Sequence, residues 1–473
     1  MDGKKTAEIK DYFNHVAGQR DFWLKKSRFY HQEVENFLRF IIPANKKVLD
    51  IGSGTGDLLA ALKPVRGVGI DIAEKMTEIA RSKYPHLEFI TADAQSLPGQ
   101  EKFDYIILSD LIGHLEDVQL ALEELFKVAD DRARIVITAH NYLWEPALWL
   151  LEKVGLKMPQ PKQNWLSRKD MEKILELAGF ETIKKGSFLL FPARIPFVSR
   201  LINRYLARLP IIKKLCLVDY LIARPTPLKN NKEYSVSVII PARNEAGNIE
   251  QAVMRLPKLG SRTEIIFVEG GSKDNTREEI LRVIEKYRGQ KEIIFVDQEN
   301  GVGKGDAVRR GFARAAGEIL MILDADLTVS PEDLPKFYQA IRTMTGEFVM
   351  GSRLIYPMEN EAMRLLNIIG NKFFSLAFSW LLDQPIKDTL CGTKVIFRQD
   401  YEELVNNRSY FGDFDPFGDF DLIFGAAKLN LKIVEIPIRY KARTYGSTNI
   451  SRFRHGWLLL KMTAFAARKI KFI

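Results

Sequence analysis

Short apolar runs alternate with amphipathic stretches along the first 140 residues of the chain. The apolar runs lie at residues 47–51, 68–71, 87–90, 105–108 and 134–137. Between them, residues 74–83 and 118–128 place apolar side chains at helical spacing. Strands that alternate with helices in this way are typical of a mostly parallel sheet covered by helices. We therefore predict an α/β domain here.

The same alternation returns after residue 235. Apolar runs lie at residues 236–240, 264–268, 292–296, 319–323 and 347–350. The total length of 473 residues is enough for two or three domains with a core of their own. We predict two doubly wound α/β domains, at residues 1–186 and 233–450. Between them we predict a connector with its linker at 187–232, and after them a terminal segment at 451–473.

The connector and the terminal segment carry the excess of basic residues. Residues 187–224 contain seven basic residues and one acid, and residues 451–473 contain six and none, within a chain of net charge +10. Both segments are also rich in large apolar residues, whereas nucleic-acid binders spread Lys and Arg over polar surfaces. The pattern argues against a nucleic-acid partner and favours an anionic membrane surface.

The spacing of these basic residues predicts amphipathic helices. Arg200, Arg204 and Arg208 lie four residues apart, and Arg454, Lys461 and Arg468 lie seven apart. Both spacings place charges on one helix face, from which they reach lipid head groups while Trp457, Leu458, Leu459, Met462 and Phe465 supply apolar neighbours in the tail. The alternative is that both helices pack on the protein and expose only their arginines.

The remaining composition places the chain in a reducing compartment. Cys216 and Cys391 are the only cysteines, which is too few for a disulfide scaffold or a cysteine zinc cluster. The polar N-terminus predicts no secretory leader, and no uncharged apolar run approaches the ~18 to 20 residues of a membrane span. We expect a cytoplasmic protein, peripheral on the cytoplasmic face of the membrane.

Three glycines follow the first predicted strand, in the sequence Val48-Leu-Asp-Ile-Gly-Ser-Gly-Thr-Gly56. Such a loop brings backbone N–H groups close to a ligand, and Asp71 ends the next strand, where a carboxylate accepts hydrogen bonds from a ribose diol. The glycine spacing departs from the form that binds NAD. Residues 8–185 resemble the class I S-adenosylmethionine-dependent methyltransferases.

That resemblance implies roles for individual residues. Asp71 would bind the ribose, Asp93 and Ala94 would flank the adenine, and Asp110 lies in the segment 108–114 that lines the transfer site. The methionine part would lie on Asp50, Gly52, Ser53, Gly54, Thr55 and Gly56. His114 or His140 would act as base if the methyl acceptor is a hydroxyl. The alternative is a domain that binds the cofactor, or only acts as a scaffold, without methyl transfer.

The second half carries polar motifs at strand ends. Residues 239–245, 269–276 and 301–307 follow three apolar runs or join them to helices. Asp324 and Asp326 come directly after another run, and two carboxylates one residue apart bind a divalent cation that also bridges a diphosphate. Residues 234–450 resemble glycosyltransferase family 2, of the GT-A fold, and most closely its polyprenyl-phosphate branch.

This second resemblance implies a nucleotide-sugar donor. Asp324 and Asp326 would bind Mg²⁺ or Mn²⁺, and Arg353 and Arg443 would meet phosphate groups. The nucleotide sugar would lie on Pro241, Arg243, Glu245, Glu269, Gly271, Ser272, Lys304 and Asp324. The family usually has Asp where Glu269 stands, so the donor remains open between GDP-linked and UDP-linked sugars.

The acceptor is open between two classes. A lipid phosphate is already ionised and needs no base, whereas a glycan hydroxyl does. Asp419 and Asp421 stand where the family places a base on the acceptor side. We therefore expect a bifunctional enzyme, a possible homo-oligomer, that transfers a sugar with inversion to a polyprenyl phosphate and a methyl group to a sugar or related intermediate.

Overall fold

The structure is a computed structural model that describes residues 4–43, 45–228, 231–301, 303–356, 365–407, 420–441, 443, 445 and 452–472. The chain divides between Thr226 and Pro227 into two compact units. We call them unit 1 and unit 2.

Unit 1 is built on one seven-stranded sheet. Its strands are β1 Lys47–Ile51, β2 Arg66–Asp71, β3 Glu88–Thr91, β4 Phe103–Ser109, β5 Ala129–His140, β6 Phe180–Phe188 and β7 Val218–Pro225. Its helices are α1 Lys4–Val16, α2 Arg20–Lys26, α3 Arg28–Ile41, α4 Asp57–Leu62, α5 Glu74–Lys83, α6 Val118–Glu124, α7 Glu145–Lys153, α8 Arg168–Leu177 and α9 Val198–Arg204. The strand order is β3-β2-β1-β4-β5-β7-β6, and only β7 runs antiparallel to its neighbours.

Strand β7 changes the domain organisation that the sequence suggests. It lies inside the predicted connector, yet all eight of its residues are buried, and it pairs with β5 on one side and β6 on the other. The basic content of the segment concealed an apolar strand, because Arg224 is buried beside Glu181 instead of facing solvent. The segment 187–226 therefore belongs to unit 1, and the prediction that it is only a connector is wrong.

The predicted helix in this segment is also interrupted. Helix α9 ends at Arg204, and Arg208 lies in a separate 3₁₀ turn, Leu206–Arg208. Pro210 follows, and its ring lacks the N–H that a continuing helix needs. Arg200, Arg204 and Arg208 therefore do not share one face of one helix.

Unit 2 is built on a second seven-stranded sheet. Its strands are β8 Val236–Ala242, β9 Thr263–Glu269, β10 Glu292–Asp297, β11 Ile319–Ile322, β12 Phe348–Ser352, β13 Lys394–Phe397 and β14 Ile433–Pro437. Its helices are α10 Ala246–Arg255, α11 Thr276–Lys286, α12 Gly303–Arg314, α13 Leu334–Arg342, α14 Leu365–Leu382, α15 Arg398–Asn406, α16 Phe420–Lys428 and α17 Arg452–Ala466. The order is β10-β9-β8-β11-β13-β12-β14, with only β13 antiparallel to its neighbours.

Helix α17 differs from the predicted interfacial helix in the use of its apolar residues. Leu459 and Met462 are buried in unit 2, where α17 packs on α14, while Trp457 is 62% exposed beneath the ammonium of Lys461. One side of the tail therefore completes the core of the unit. Across the described residues, the structure has no helix that is both long and apolar enough to cross a bilayer.

Both sheets bring candidate residues to one edge. The neighbouring strands β1, β2 and β4 are parallel, so the carboxyl ends of all three lie at the same edge of the first sheet. In unit 2, β8, β9 and β11 do the same for Pro241, Glu269 and Asp324. The core of each unit fixes these strands beneath its polar edge.

Candidate active sites

The glycine loop of unit 1 is fixed by hydrogen bonds to the neighbouring strand. The N–H groups of Gly52 and Ser53 donate to the carbonyl oxygen of Ile70, at 2.7 and 3.0 Å. The carboxylate of Asp71 accepts from the N–H of Gly54 at 2.8 Å and of Ala73 at 2.9 Å. The loop thus has a defined shape before any ligand binds.

Two of these glycines are required by different constraints. Gly54 has φ +53°, and a Cβ there would meet no atom within 4 Å, so its backbone borders open space. Gly56 has φ +80°, and a Cβ there would lie 2.5 Å from the ring of Phe89. Gly56 therefore permits packing, whereas Gly54 leaves room for a ligand.

A cavity of about 590 Å³ lies over this loop in unit 1. Among the residues expected to bind the cofactor, those that line it are Gly52, Gly54, Asp71, Asp93, Ala94 and Asp110. Asp50, Ser53, Thr55 and Gly56 lie behind the lining. The Asp50 carboxyl is buried, and burial together with the nearby Asp71 raises its pKa to about 7.

Tyr30 on α3 and Arg20 on α2 line the same cavity, although no motif pointed to them. The Tyr30 hydroxyl donates to Asp110 Oδ2 at 2.6 Å, and its ring stacks on His140 at 5.4 Å. Burial lowers the pKa of Arg20, and the carboxylates of Asp110 and Asp71 oppose that shift. These helices precede the glycine loop and lack a spaced signature, so only the three-dimensional arrangement reveals them.

Asp110 and His114 each present one unmatched polar atom. Asp110 adopts the left-handed conformation, φ +54°, and its Oδ1 is buried without a hydrogen-bond partner among the described residues. The Nδ1 of His114 is likewise buried and unmatched within the described part of the chain. Buried polar atoms without partners are costly, and at a cavity wall they indicate contacts that a ligand would make.

The partner of His114 fixes which ring nitrogen carries the proton. Gln163 Nε2 lies 3.1 Å from His114 Nε2, and an amide nitrogen only donates, so Nε2 accepts. Burial lowers the pKa of His114 to about 4, so the ring is neutral at neutral pH, with its proton on Nδ1. In this tautomer Nδ1 is a donor and Nε2 already accepts from Gln163, and the role of His114 as a base stays a prediction.

Asp324 in unit 2 forms an ion pair with Lys304. The Lys304 ammonium lies 2.6 Å from Asp324 Oδ1. Burial opposes the ionisation of Asp324, but Lys304, Lys394 and Arg353 outweigh it and keep the pKa of Asp324 below its ordinary value. A Cβ at Gly392 would lie 2.0 Å from Asp324 Oδ2 and 2.5 Å from Lys304 Nζ, so the backbone there closes directly over the pair.

Asp326 lies at the centre of a second charged group. Its Oδ2 accepts from Arg443 at 2.6 Å, and its Oδ1 accepts from the N–H and hydroxyl of Thr328 at 3.1 and 2.8 Å. Arg443 also donates to Glu245 Oε1 at 3.1 Å. Glu245 in turn accepts from Asn248 at 2.7 Å. Residues nearly 200 positions apart thus meet at one edge of the sheet.

The residues expected to frame the nucleoside lie at the ends of β8 and β9. The buried Glu269 carboxylate accepts from the N–H of Ser272 at 2.6 Å, across a turn in which Gly271 has φ +67°. Pro241 is half-buried and Arg243 is exposed. The carboxylate of Glu269 therefore fixes the turn, while Arg243 faces the open side.

The metal prediction rests on Asp324 and Asp326 alone. No group of three His, Cys, Asp or Glu side chains suitable for a metal occurs in the part of the chain that the structure describes. Carboxylate oxygens nevertheless match Mg²⁺ and Mn²⁺, which typically bind one or two carboxylates together with substrate phosphates. The two side chains fit that pattern, provided that a diphosphate completes the coordination.

Arg353 forms a buried ion pair with Asp388. Its Nε and guanidinium nitrogen donate to the two oxygens of Asp388 at 2.6 and 2.7 Å, and its backbone N–H donates to Asp388 Oδ2 at 3.0 Å. Asn371 adds a fourth hydrogen bond at 3.0 Å, and the Tyr440 ring lies 5.1 Å from the guanidinium carbon. Asp388 uses Nε and Nη2 of the guanidinium and not Nη1, so the phosphate contact of Arg353 stays a prediction.

Asp388→Ala is expected to lower the free energy of unfolding of unit 2 by about 3 to 5 kcal/mol, because it leaves Arg353 buried and unpaired. Burial acts to raise the pKa of Asp388, but Arg353 outweighs it and holds that pKa below its ordinary value. The stabilisation is therefore present above the unfolded-state pKa of about 4 and is lost as the pH falls through the folded-state value. Denaturation of Asp388→Ala and of Asp297→Asn, whose carboxylate pairs with the half-exposed Arg277, measures this; equal losses in the two variants would contradict it.

The structure describes one of the two candidate bases on the acceptor side. Asp421 opens α16, Phe420–Lys428, and is 9% exposed. Asp419 lies outside the described residues. The structure therefore places Asp421 in a largely buried position and leaves Asp419 a prediction.

Two family models match the chain. The model of a methyltransferase domain matches residues 22–185, and that of glycosyl transferase family 2 matches residues 237–405. The yeast Saccharomyces cerevisiae dolichyl-phosphate beta-glucosyltransferase is 29% identical over 233 residues, which is 45% of this chain and 68% of that protein. The Pyrococcus furiosus dolichol-phosphate mannosyltransferase is 28% identical over 248 residues, which is 50% and 67%.

A solved S-adenosylmethionine-dependent methyltransferase from Thermotoga maritima is 16% identical and covers 46% of this chain and 99% of that chain, with a TM-score of 0.37. The chain spans about two thirds of the length of the curated relatives that it matches. The matched ranges contain Gly54 and Asp71 in unit 1 and Lys304, Asp324 and Asp326 in unit 2, whereas β7, β14 and Arg443 lie outside them. The chain therefore joins a methyltransferase domain, within residues 22–185, to a glycosyltransferase family 2 domain, within residues 237–405.

Proposed function

We propose that unit 2 transfers a sugar from a nucleotide-sugar donor to a polyprenyl phosphate. The observation that carries this proposal is the pairing of Asp324 with Lys304 and of Asp326 with Arg443 at one sheet edge. The two carboxylates complement the charge of a divalent metal ion, and the two basic side chains complement the charge of the diphosphate that binds it. The names of the relatives, which act on dolichyl phosphate, support the acceptor class.

Each charged residue then has a role. Asp324 and Asp326 bind Mg²⁺ or Mn²⁺, which when bound would neutralise charge on the departing diphosphate. Lys304 and Arg443 exchange their carboxylate partners for phosphate oxygens. Arg353 acts as a positioning residue, since it holds Asp388 and the segment that leads to Gly392.

The remaining nucleotide-sugar residues hold the nucleoside. We assign this role to Pro241, Arg243, Glu245, Glu269, Gly271 and Ser272. The nucleobase that fits beside the Glu269 carboxylate determines whether the donor is GDP-linked or UDP-linked. The acceptor phosphate then attacks the anomeric carbon from the face opposite the leaving group, so the configuration inverts.

The acceptor class is tested with radiolabelled UDP-glucose and GDP-mannose, Mn²⁺ and undecaprenyl phosphate. We expect chloroform-extractable radioactivity with one of the two donors, and an unchanged rate in Asp421→Asn, because an ionised phosphate needs no base. Transfer only to a glycan hydroxyl, lost in Asp421→Asn or Asp419→Asn, would favour the alternative acceptor instead.

We also propose that unit 1 binds S-adenosylmethionine and transfers its methyl group. The cavity over Gly54 and Asp71 has the size for a nucleoside cofactor together with a second ligand. Behind its wall lie one oxygen each of Asp50 and Ser53 that has no hydrogen-bond partner within the described ranges. When bound, the cofactor would supply the methyl group as a sulfonium. Isothermal calorimetry of the full chain with S-adenosylmethionine tests this; no heat of binding would leave unit 1 as a scaffold.

We place both activities at the cytoplasmic face of an anionic membrane, because the polyprenyl-phosphate acceptor resides in the bilayer and the basic residues cluster in 187–224 and 451–473. Attachment would be peripheral. Co-sedimentation of the full chain with phosphatidylglycerol vesicles measures it, and a chain that stays in the supernatant at low salt would contradict it.

A further inference from the structure

Unit 1 exposes an unusual number of large apolar side chains in two segments. Fifteen large apolar residues of 142–156 and 195–215 are exposed, among them Phe197 at 89% and Ile211 at 81%. Isolated exposed apolar residues are ordinary, whereas a contiguous apolar patch marks an interaction site. We call the exposed apolar residues of these two segments the outer apolar surface.

Hydrogen bonds place the two segments side by side. The side-chain amide of Asn141 donates to the carbonyl oxygens of Lys214 and Cys216 at 2.9 and 3.0 Å. The indole N–H of Trp144 donates to the carbonyl oxygen of Leu215 at 2.9 Å. The start of one segment is thus tied to the end of the other, which brings the exposed Leu143 close to the exposed Leu215.

Helix α7 connects this surface to the cavity. On its inner side Leu148 and Leu151 line the cavity, while on its outer side Trp149 and Leu150 are 56% and 55% exposed. Leu156, just beyond the helix, both lines the cavity and is 57% exposed. A helix that is apolar on both sides separates two apolar environments, one of which is the cavity.

The charge of the second segment indicates which environment lies on the outer side of α7. Arg194, Arg200 and Lys214 are exposed around the apolar side chains, and Arg194 also lines the cavity. The only acid of 187–224, Asp219, is buried at 2% exposure. The first segment adds one exposed acid, Glu145, and one exposed base, Lys153, so the surface as a whole keeps its excess of cations. Exposed apolar residues surrounded mainly by cations match the interface of an anionic bilayer.

The opposite part of the cavity is polar. Asp110 Oδ1 offers an acceptor and the neutral His114 offers Nδ1–H as a donor, both buried and unmatched among the described residues. A hydroxyl bound between these two atoms would donate to the carboxylate and accept from the imidazole. The cavity therefore combines a polar end for a hydroxyl with an apolar wall next to the outer apolar surface.

We infer that the methyl acceptor of unit 1 is a hydroxyl on the head group of a membrane lipid, which enters the cavity from a bilayer docked on the outer apolar surface. The inference rests on the proposed methyl transfer. The methyl carbon leaves the sulfonium sulfur and bonds to the hydroxyl oxygen, the hydroxyl proton passes to Asp110 Oδ1, and S-adenosylhomocysteine is released. The lipid chain stays outside, along α7.

Docking is tested with a single engineered thiol. Because both native cysteines are buried, Leu150→Cys in the full chain takes up a polarity-sensitive nitrobenzoxadiazole label selectively. We expect its emission to shift to the blue and at least double on addition of vesicles of phosphatidylcholine and phosphatidylglycerol. Val65→Cys, also exposed but outside both segments, is the matched control and should not respond. An unchanged signal from Leu150→Cys, or equal responses at both sites, would overturn the docking surface.

The acceptor class is tested with methyl-tritiated S-adenosylmethionine and vesicles prepared from lipids of the source cells. We expect radioactivity in the organic phase, reduced at least tenfold in Leu150→Glu and unchanged in Val65→Glu, while both variants bind S-adenosylmethionine as the parent does. Radioactivity only in water-soluble products would overturn the inference and leave the proposed methyl transfer standing. Absence of cofactor binding in the parent would instead contradict the proposed function.

Discussion

Asp324→Asn is expected to reduce sugar transfer by roughly a hundredfold to a thousandfold, the effect usual for loss of one charged group that stabilises a transition state. The variant keeps the shape of the side chain but removes the charge that Lys304, Lys394 and Arg353 keep ionised against the opposing effect of burial. It also leaves Lys304 without its carboxylate partner. Initial rates of transfer to undecaprenyl phosphate measure the change.

Glu285→Gln is the matched control for this prediction. It removes one carboxylate from the same unit, but its side chain is 68% exposed and, among the residues that the structure describes, pairs with Arg288, itself 77% exposed. We expect its rate to stay within twofold of the parent. If Asp324→Asn retained more than a tenth of the parent rate while remaining folded, the carboxylate would not belong to the reaction centre.

Gly54→Leu is expected to abolish binding of S-adenosylmethionine, with an affinity at least about a hundredfold lower, or ~3 kcal/mol. A Cβ at Gly54 would meet no protein atom within 4 Å, so a side chain there starts in open space at the cavity wall, where the ligand would lie. Calorimetry with S-adenosylmethionine measures the loss.

Gly99→Leu separates blockage from backbone strain. Gly99 has φ +82° and, like Gly54, open space around a Cβ, but it does not line the cavity. Both variants bear the same cost of a left-handed side-chain residue, about 1 kcal/mol, so only Gly54→Leu should lose the ligand. Equal affinities in the two variants would remove the glycine loop from the cofactor site.

Local sequence patterns predicted the strands whose carboxyl ends carry the residues of both sites. The apolar runs at 47–51, 105–108, 236–240 and 264–268 all fall within observed strands, and residues 74–83 form the predicted helix. These segments were readable because their faces are buried by the whole sheet, so apolar periodicity is strong. The carboxylates that follow them were found by the same reasoning.

Long-range partners were not readable. Tyr30 and Arg20 interact with Asp110, which lies 80 and 90 positions away along the chain, and Arg353 is the partner of Asp388. The sequence around a lone arginine does not indicate whether its guanidinium will bind a phosphate or a carboxylate of its own chain. Strand β7 was missed because buried and exposed arginines look alike in composition.

The position of β7 also affects how the chain is made. It is the last strand of unit 1 along the chain, yet it lies between β5 and β6 in the sheet. The edges of β5 and β6 that pair with β7 therefore stay unpaired until residue 225 has left the ribosome. A nascent chain of 190 residues presents unpaired strand edges that invite aggregation. Expression fragments that stop at residue 186 should therefore be insoluble, whereas fragments that continue to residue 226 carry the complete sheet.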